Sequence, residues 1–345
     1  MISHPAEVSA ENLTSILEKF SSRKVLLLGD VVADHYLVGH TSRISREAPV
    51  LILKYQEEFT VPGQVGNTAA NIAALGGRPE LVSVVGKDAR GKDLIATLQR
   101  HKVATGNVVV AAGQTTLTKT RLMAGGRHTC RQQVIRIDDD SRLEISAEQR
   151  VALVENCRRL AGSMHAIVVS DYGYGVVTDE VWGEIAGIAR EYGLPLVLDS
   201  RYSLLSRPGA TLATPNEEEA LACRVESGRD VGGREPVDIF GLGNRIRKQA
   251  KLDNLLITRG NEGMVLFEGK RTPVSIPIFG ADECTDVTGA GDTVVATASL
   301  ALASGASALS AAWLANIAGG LVVMKMGTAT VSLEEMQSGI EALFG

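Results

Sequence analysis

Lys24-Val25-Leu26-Leu27-Leu28-Gly29-Asp30 is a short apolar run that stops at a glycine. Its apolar residues do not alternate with polar ones, which marks a strand buried on both faces and therefore a parallel sheet. Outward from it the pattern returns. Residues 80–85, 166–171, 196–199, 254–258 and 264–267 read as further strands, and 50–55 as another β segment. Helix patterns lie between them. Residues 10–22 place Leu13, Ile16, Leu17 and Phe20 on one face, 66–76 form a small-residue helix, and 89–101 are helical. Ser146 and Gln149 make a capping box for a helix to about 160, and Thr178 caps a helix carrying Trp182, Ile185, Ile188 and Tyr192. Alternation of this kind predicts an α/β fold whose mostly parallel sheet is flanked by helices, with ligands beyond the carboxyl ends of the strands. The segment LLLGDVVADH lacks a G-x-G-x-x-G turn, which disfavours a dinucleotide-dependent oxidoreductase.

The chain has 345 residues and a net charge of −5. Length suggests about two domains, or one large α/β domain with an appendage, and we take a single domain over 1–345; the negative balance argues against a general nucleic-acid binder. Cys130, Cys157, Cys223 and Cys284 form no Cys-x-x-Cys pair, so no zinc ribbon or dithiol motif is available. Free thiols, and an N-terminus without a basic start and apolar stretch, lead us to expect a cytoplasmic protein. Residues 293–324 carry no charge, but Ser304-Gly305-Ala306-Ser307 interrupts them. We read two buried helices there and no membrane span.

Two stretches break the alternation. Residues 41–60 and 115–138 read as β ribbons, the second with Gly125-Gly126 at its tip and with Leu117, Lys119 and Arg121 on one face. They form either a small β lid, over about 35–62 and 108–138, or an ordinary antiparallel sheet edge. Residues 226–236 read as an exposed loop.

Asp286-Val287-Thr288-Gly289-Ala290-Gly291-Asp292 precedes a small, apolar helical stretch. The glycines allow a tight turn, and the N–H groups of 289–292 then face an anion at a helix N-terminus. Asp292 is either a first-turn acid or a general base beside that anion hole, an arrangement suited to phosphoryl transfer.

This motif resembles the C-terminal signature of the ribokinase-like, or PfkB-type, carbohydrate kinases. Residues 62–76, PGQVGNTAANIAALG, resemble the N-terminal signature of that family; 214–219, TPNEEE, contain its N-x-x-E; 258–263, TRGNEG, its T-x-G-x-x-G loop. The resemblance runs from about 22 to 340. Within the family, residues 29–53, 118–138, 170–175 and 327–332 look like the D-glycero-D-manno-heptose 7-phosphate kinases of lipopolysaccharide precursor synthesis. The chain has no HxGH nucleotidyl-transfer motif and so resembles the stand-alone kinase. It departs at Tyr174, where those kinases commonly carry Lys, and at Ser200-Arg201, where they carry Pro-Lys.

The resemblance implies a ribokinase-like core with a lid, and roles residue by residue. Asp292 is the base, with Gly289, Ala290 and Gly291 as the anion hole. Asp34, Gly63 and Asn67 hold the sugar, although a turn or a helix cap also accounts for Asp34 and Asn67. Asn216 and Glu219 organise ATP and Mg²⁺, Glu219 acting through water. Thr258, Gly260 and Gly263 border the nucleotide. Asn316 lies near the adenosine, or is a polar residue crossing buried helices. A K⁺ ion near 286–288 and 327–330 and a homodimer through the lid ribbons are implied as well.

Independently of family, no acid occurs from 94 to 137, whereas Arg100, Lys102, Lys119, Arg121, Arg127, Arg131 and Arg136 do. This basic run, with Arg43 and Arg46 in the other ribbon, suits a phosphorylated sugar or else protects β edges. His35, His40 and His128 lack metal-ligand spacing. The expected activity is transfer of the γ-phosphate of ATP to a sugar hydroxyl, the anomeric hydroxyl of the heptose 7-phosphate in the closest resemblance. The alternatives are a kinase of this type for another sugar or sugar phosphate, or a non-catalytic sugar or nucleotide sensor. The expected partners are small molecules and a second copy of the chain, with neither nucleic acid nor membrane.

Overall fold

The structure, a computed structural model, describes residues 8–125, 131–226, 238–280 and 285–344. In chain order the elements are α1 (Ala10–Glu18), β1 (Lys24–Gly29), β2 (Val31–Ile44), β3 (Leu51–Gln64), α2 (Val65–Ala74), β4 (Arg78–Gly86), α3 (Ala89–Arg100), β5 (Ala104–Ala111), β6 (Thr118–Gly125) and β7 (Gln132–Asp139). There follow α4 (Ala147–Ala161), β8 (Ala166–Asp171), α5 (Asp179–Tyr192), β9 (Leu196–Ser200), β10 (Leu212–Ala213), α6 (Glu217–Glu226), α7 (Ile239–Gln249), β11 (Asn254–Thr258), β12 (Met264–Glu268), β13 (Val274–Ile276), α8 (Ala290–Ala303), α9 (Ala308–Val322) and α10 (Leu333–Phe344).

Nine strands form one sheet in the order β13-β12-β11-β10-β9-β8-β1-β4-β5. Strands β5 to β11 run parallel, and β12 and β13 add an antiparallel edge. The alternation of β1 divides the core. Val25 and Leu27 face a cluster with α1, α2, α8, α9 and α10, whereas Leu26 and Leu28 face one with α4, α5 and α7. That is why the strand reads as uninterrupted apolar sequence. Chain order reverses at β1, so the crevice between β1 and β8 is the topological switch point.

The four-stranded sheet β3-β2-β6-β7 is separate, with β2 and β6 parallel and its outer pairs antiparallel. It is a sheet of its own rather than an edge of the core sheet, as the lid reading requires. Its limits differ from the sequence reading. β2 begins at Val31, immediately beyond β1, because Val31–Asp34 are buried against the core and show no period-two signal. Residues 108–111 belong to β5 and pair with β4 in the core, so the lid's second arm starts at Thr118. Of the expected hairpin tip, Gly126 and residues 127–130 lie outside the described residues, as do 227–236 of the expected loop.

α8 and α9 are the two expected buried helices, broken at Ser304–Ser307. Among the described residues, no helix is long and apolar enough to cross a membrane. Cys157 is a free, buried thiol, and burial pushes it up to about 12. Cys130 and Cys284 lie outside the described residues. Of the residues named on α5, Trp182, Ile185 and Ile188 are buried and Tyr192 is exposed.

Candidate active site

α8 begins after Gly289, whose φ of 79° places it in the left-handed region. A Cβ at this position would stand 2.6 Å from Asn67 Nδ2, so glycine is required on both counts. Asp292 follows in the first turn and is buried against α2. Asn67 Nδ2 donates to its Oδ2 at 2.7 Å, and Thr68 Oγ1 donates to Oδ1 at 3.2 Å. Asn67 is itself oriented. Asn71 Nδ2 donates to Asn67 Oδ1 at 3.2 Å, and Thr293 Oγ1 donates to Asn71 Oδ1 at 2.9 Å. Burial raises the Asp292 carboxyl to about 6; the donors Asn67 and Thr68 oppose the rise, nearby Asp34 adds to it, and Lys119 opposes it. A buried, oriented carboxylate near neutrality can take a proton. A Cβ on Gly291 would meet open space, so the helix start is accessible. The N–H of Ala290 turns back to the Val287 carbonyl at 3.2 Å, which narrows the expected run of free donors.

The lid root supplies the next group. Asp34 on β2 lies against Gly63 on β3, where a Cβ would stand 2.5 Å from Asp34 Oδ2. Arg121 Nη2 donates to Asp34 Oδ1 at 3.0 Å and Nη1 to Gln133 Oε1 at 3.1 Å. Lys119 opposes Asp34 in register and is buried, which lowers its pKa. Its Nζ lies 5.7 Å from the centre of the Tyr174 ring, and among the described residues no ion pair reaches it. The rest of the basic run disperses. Arg131 pairs with Glu57, Arg136 with Asp138, and Arg127 lies outside the described residues. Arg43 is exposed, nine positions along β2 from Asp34 and about 30 Å away. The structure therefore sets Arg43 apart from this cluster. His35 packs between Arg90, Thr60 and Glu58, and His40 bonds the Gly125 carbonyl. His128 lies outside the described residues.

The third group lines the carboxyl ends of β9 to β11. Asn216 and Glu219 cap each other: the Glu219 N–H donates to Asn216 Oδ1 at 2.8 Å, and the Asn216 N–H to Glu219 Oε2 at 2.9 Å. Arg259 Nε donates to Glu217 Oε2 at 3.1 Å, joining this turn to the loop of Thr258, Gly260 and Gly263. Asn216 also bridges to Thr258. Asn316 is buried and donates to the Pro277 carbonyl at 2.9 Å, so its amide ties α9 to the segment after β13.

Sequence reasoning missed Asp199 and Tyr172. Asp199 ends β9, and burial raises its carboxyl to about 8, with Asp292 and Glu219 adding to the rise. Tyr172 Oη donates to Asp199 Oδ2 at 3.0 Å. Residues 199–201 stood out in the sequence only as a departure from the resembling kinases. Asp199 and Glu219 are hard oxygen donors whose crowded negative charge a divalent cation would neutralise. No group of three acidic, His or Cys side chains among the described residues forms a metal cage. Mg²⁺ keeps several waters, so this sparse set fits it. Thr214 Oγ1, buried at the end of β10, has no hydrogen-bond partner among the described residues.

The family model for pfkB family carbohydrate kinases matches residues 22–336. The bifunctional protein HldE of Geobacter metallireducens is 38% identical over 327 residues, covering 94% of this chain and 64% of that protein. HldE of Caulobacter sp. strain K31 is 39% identical over 328 residues, with the same shares covered. The chain thus spans 64% of the length of these relatives. Among solved structures, Escherichia coli phosphofructokinase-2 in complex with potassium superposes with a TM-score of 0.72 at 19% identity, covering 93% of this chain and 99% of that one. Arabidopsis thaliana ribokinase complexed with ribose and ATP gives 0.66 at 20% identity, covering 93% and 98%. The fold is the ribokinase-like one.

Proposed function

Because the chain belongs to the pfkB family of carbohydrate kinases, we propose that it phosphorylates a sugar phosphate, the anomeric hydroxyl of D-glycero-D-manno-heptose 7-phosphate being the acceptor. The carrying observation is the Asp292 carboxylate, clamped by Asn67 and Thr68 at an accessible helix start and close enough to feel Asp34 and Lys119.

Asp34 and Gly63 receive the sugar hydroxyls. Lys119 meets the distal phosphate, and Arg121 holds Asp34 in place. The turns of Asn216–Glu219 and Thr258–Gly263 receive ATP. Asp199 and Glu219 would hold Mg²⁺, the latter through water, and the bound ion would neutralise phosphate charge. Asp292 takes the acceptor's proton, the freed oxygen forms a bond to the γ-phosphorus, and the bond to the ADP oxygen breaks. Backbone N–H groups at the start of α8 stabilise the charge on the transferring oxygens. General-base assistance of this kind contributes about 10²–10⁴-fold, and positioning supplies much of the rest.

A K⁺ ion fits near 286–288 and 327–330, two segments drawn together by Asp286, which accepts the N–H groups of Thr288 and Gly327, both at 2.9 Å. The protein is cytoplasmic and homodimeric in this reading. Exposed Ile44, Leu51, Tyr55, Phe59, Ile135 and Ile137 on the lid sheet support pairing of the lids.

The test is ADP release with Mg-ATP against sugars and sugar 7-, 6- and 1-phosphates, with Asp292→Asn as control. Turnover confined to the heptose 7-phosphate, and lost in the variant, supports the reading. Turnover on a different sugar phosphate retains the Asp292 chemistry and sinks the heptose assignment. Tyr174, packed under Lys119 where the resembling kinases carry Lys, favours that second outcome.

A further inference from the structure

Asp30 follows β1 at the switch-point crevice, and the chemistry above does not use it. Its carboxylate is fully buried and accepts three backbone N–H groups. Tyr172 and Tyr174 donate to Oδ2 at 3.0 and 3.1 Å, and Val176 donates to Oδ1 at 3.1 Å. All three donors come from alternate residues of the loop leaving β8. Gly173 and Gly175 between them have φ of 81° and 112°, which turns the intervening N–H groups away. The two tyrosine side chains of this loop then reach different parts of the site. Tyr172 Oη donates to Asp199, and the Tyr174 ring meets Lys119. The backbone of Asp30 extends the node. Its N–H donates to the Ser170 carbonyl at 3.2 Å, and its carbonyl accepts from Val65 at 3.3 Å, two residues before Asn67.

We propose that Asp30 is a positioning residue for phosphoryl transfer, holding the 172–176 loop so that Tyr172 aims Asp199 and Tyr174 supports Lys119. The proposal rests on the kinase reading above. A buried carboxylate is a costly way to fill a core position, but it accepts several N–H bonds at once, and charge-assisted bonds are the stronger ones. Asparagine at this position preserves the volume. Its single oxygen serves only one side of the clamp, and its amide group opposes an N–H donor on the other.

The experiment compares the parent with Asp30→Asn, Tyr172→Phe and the double variant, measuring kcat, KM for both substrates and amide hydrogen exchange at 172, 174 and 176. We expect faster exchange in Asp30→Asn, with kcat lowered about tenfold or more, since small displacements at a reacting site have effects of this size. Tyr172→Phe lowers kcat as well, and the double variant falls less than the product of the two single losses because both act along one route. Parental kcat in folded Asp30→Asn, or multiplicative losses in the double variant, overturns the proposal. Should Asp30→Asn not fold, Tyr172→Phe decides, and parental kcat there overturns it. If the parent turns over no acceptor, the kinase reading fails instead. Mg-ATP affinity by calorimetry then reads the clamp, and equal affinities in parent and Asp30→Asn overturn it.

Discussion

Asn67 and Asp292 stand 225 positions apart and share a hydrogen bond of 2.7 Å. The bond has one sense, because Asn71 donates to the Asn67 carbonyl oxygen and leaves its nitrogen for the carboxylate. The base is thus held by a relay that crosses from α8 to α2 and returns through Thr293.

The pH dependence follows from this pair. Asp292 must be ionised to accept a proton, and burial raises it to about 6. kcat/KM should therefore rise with pH through an inflection near 6. Removing a donor to the ionised form raises the pKa further, so Asn67→Ala should move the inflection upward. Stability has the opposite sign. The folded pKa exceeds the ordinary 3.8, so the contribution of this group favours folding at low pH and is lost as pH rises towards 6. A pH–rate profile of both proteins checks the first effect. Thermal midpoints of the parent and Asp292→Asn across that window check the second.

Gly289→Ala adds a Cβ 2.6 Å from Asn67 Nδ2 at a positive φ. The strain should cost about 1–3 kcal/mol. Because the displaced atom is the donor to Asp292, kcat should fall even where the protein remains folded. Urea unfolding and single-turnover kinetics separate the two losses, and parental kcat would refute the close approach.

Arg121→Met leaves Asp34 buried without its cation. Breaking such a pair destabilises by about 3 kcal/mol. KM for the acceptor should rise more than KM for ATP, since Asp34 faces the sugar in the proposed reading. Equal changes in both constants would separate Arg121 from the acceptor side.

Lys119→Met tests the phosphate assignment by difference. A lost charge-assisted bond should raise KM for a phosphorylated acceptor about tenfold or more, while an unphosphorylated sugar is little affected. A uniform effect on both acceptors would reassign Lys119 to the base or to Asp34.

The core was legible because β1, β8 and β9 each contain an uninterrupted apolar run and their helices carry caps such as Ser146 and Thr178. The glycine-rich helix start was legible from a motif within a single segment, but its clamp was not, because Asn67 and Thr68 come from a helix more than 220 positions away. Asp199 was not, because its environment is made by Tyr172, Glu219 and Asp292 from three distant segments. Arg121 could be assigned to the correct face of its strand, but its partner Asp34 depends on the parallel pairing of β2 with β6, which no local pattern encodes. The place of Arg43 was hidden for the same reason, since charge alone does not reveal that it lies far along the ribbon.

β2 leaves β1 after the single residue Asp30, and β3 runs into α2 with no intervening residue. Each is 14 residues long, an arm of about 45 Å with register irregularities between Val38 and Gly39 and between Thr41 and Arg43. Asp34 thus sits near the root of one arm, and the other arm runs directly into the helix that carries Asn67. The acceptor side of the site and the donor to the base are therefore rooted in the same hairpin.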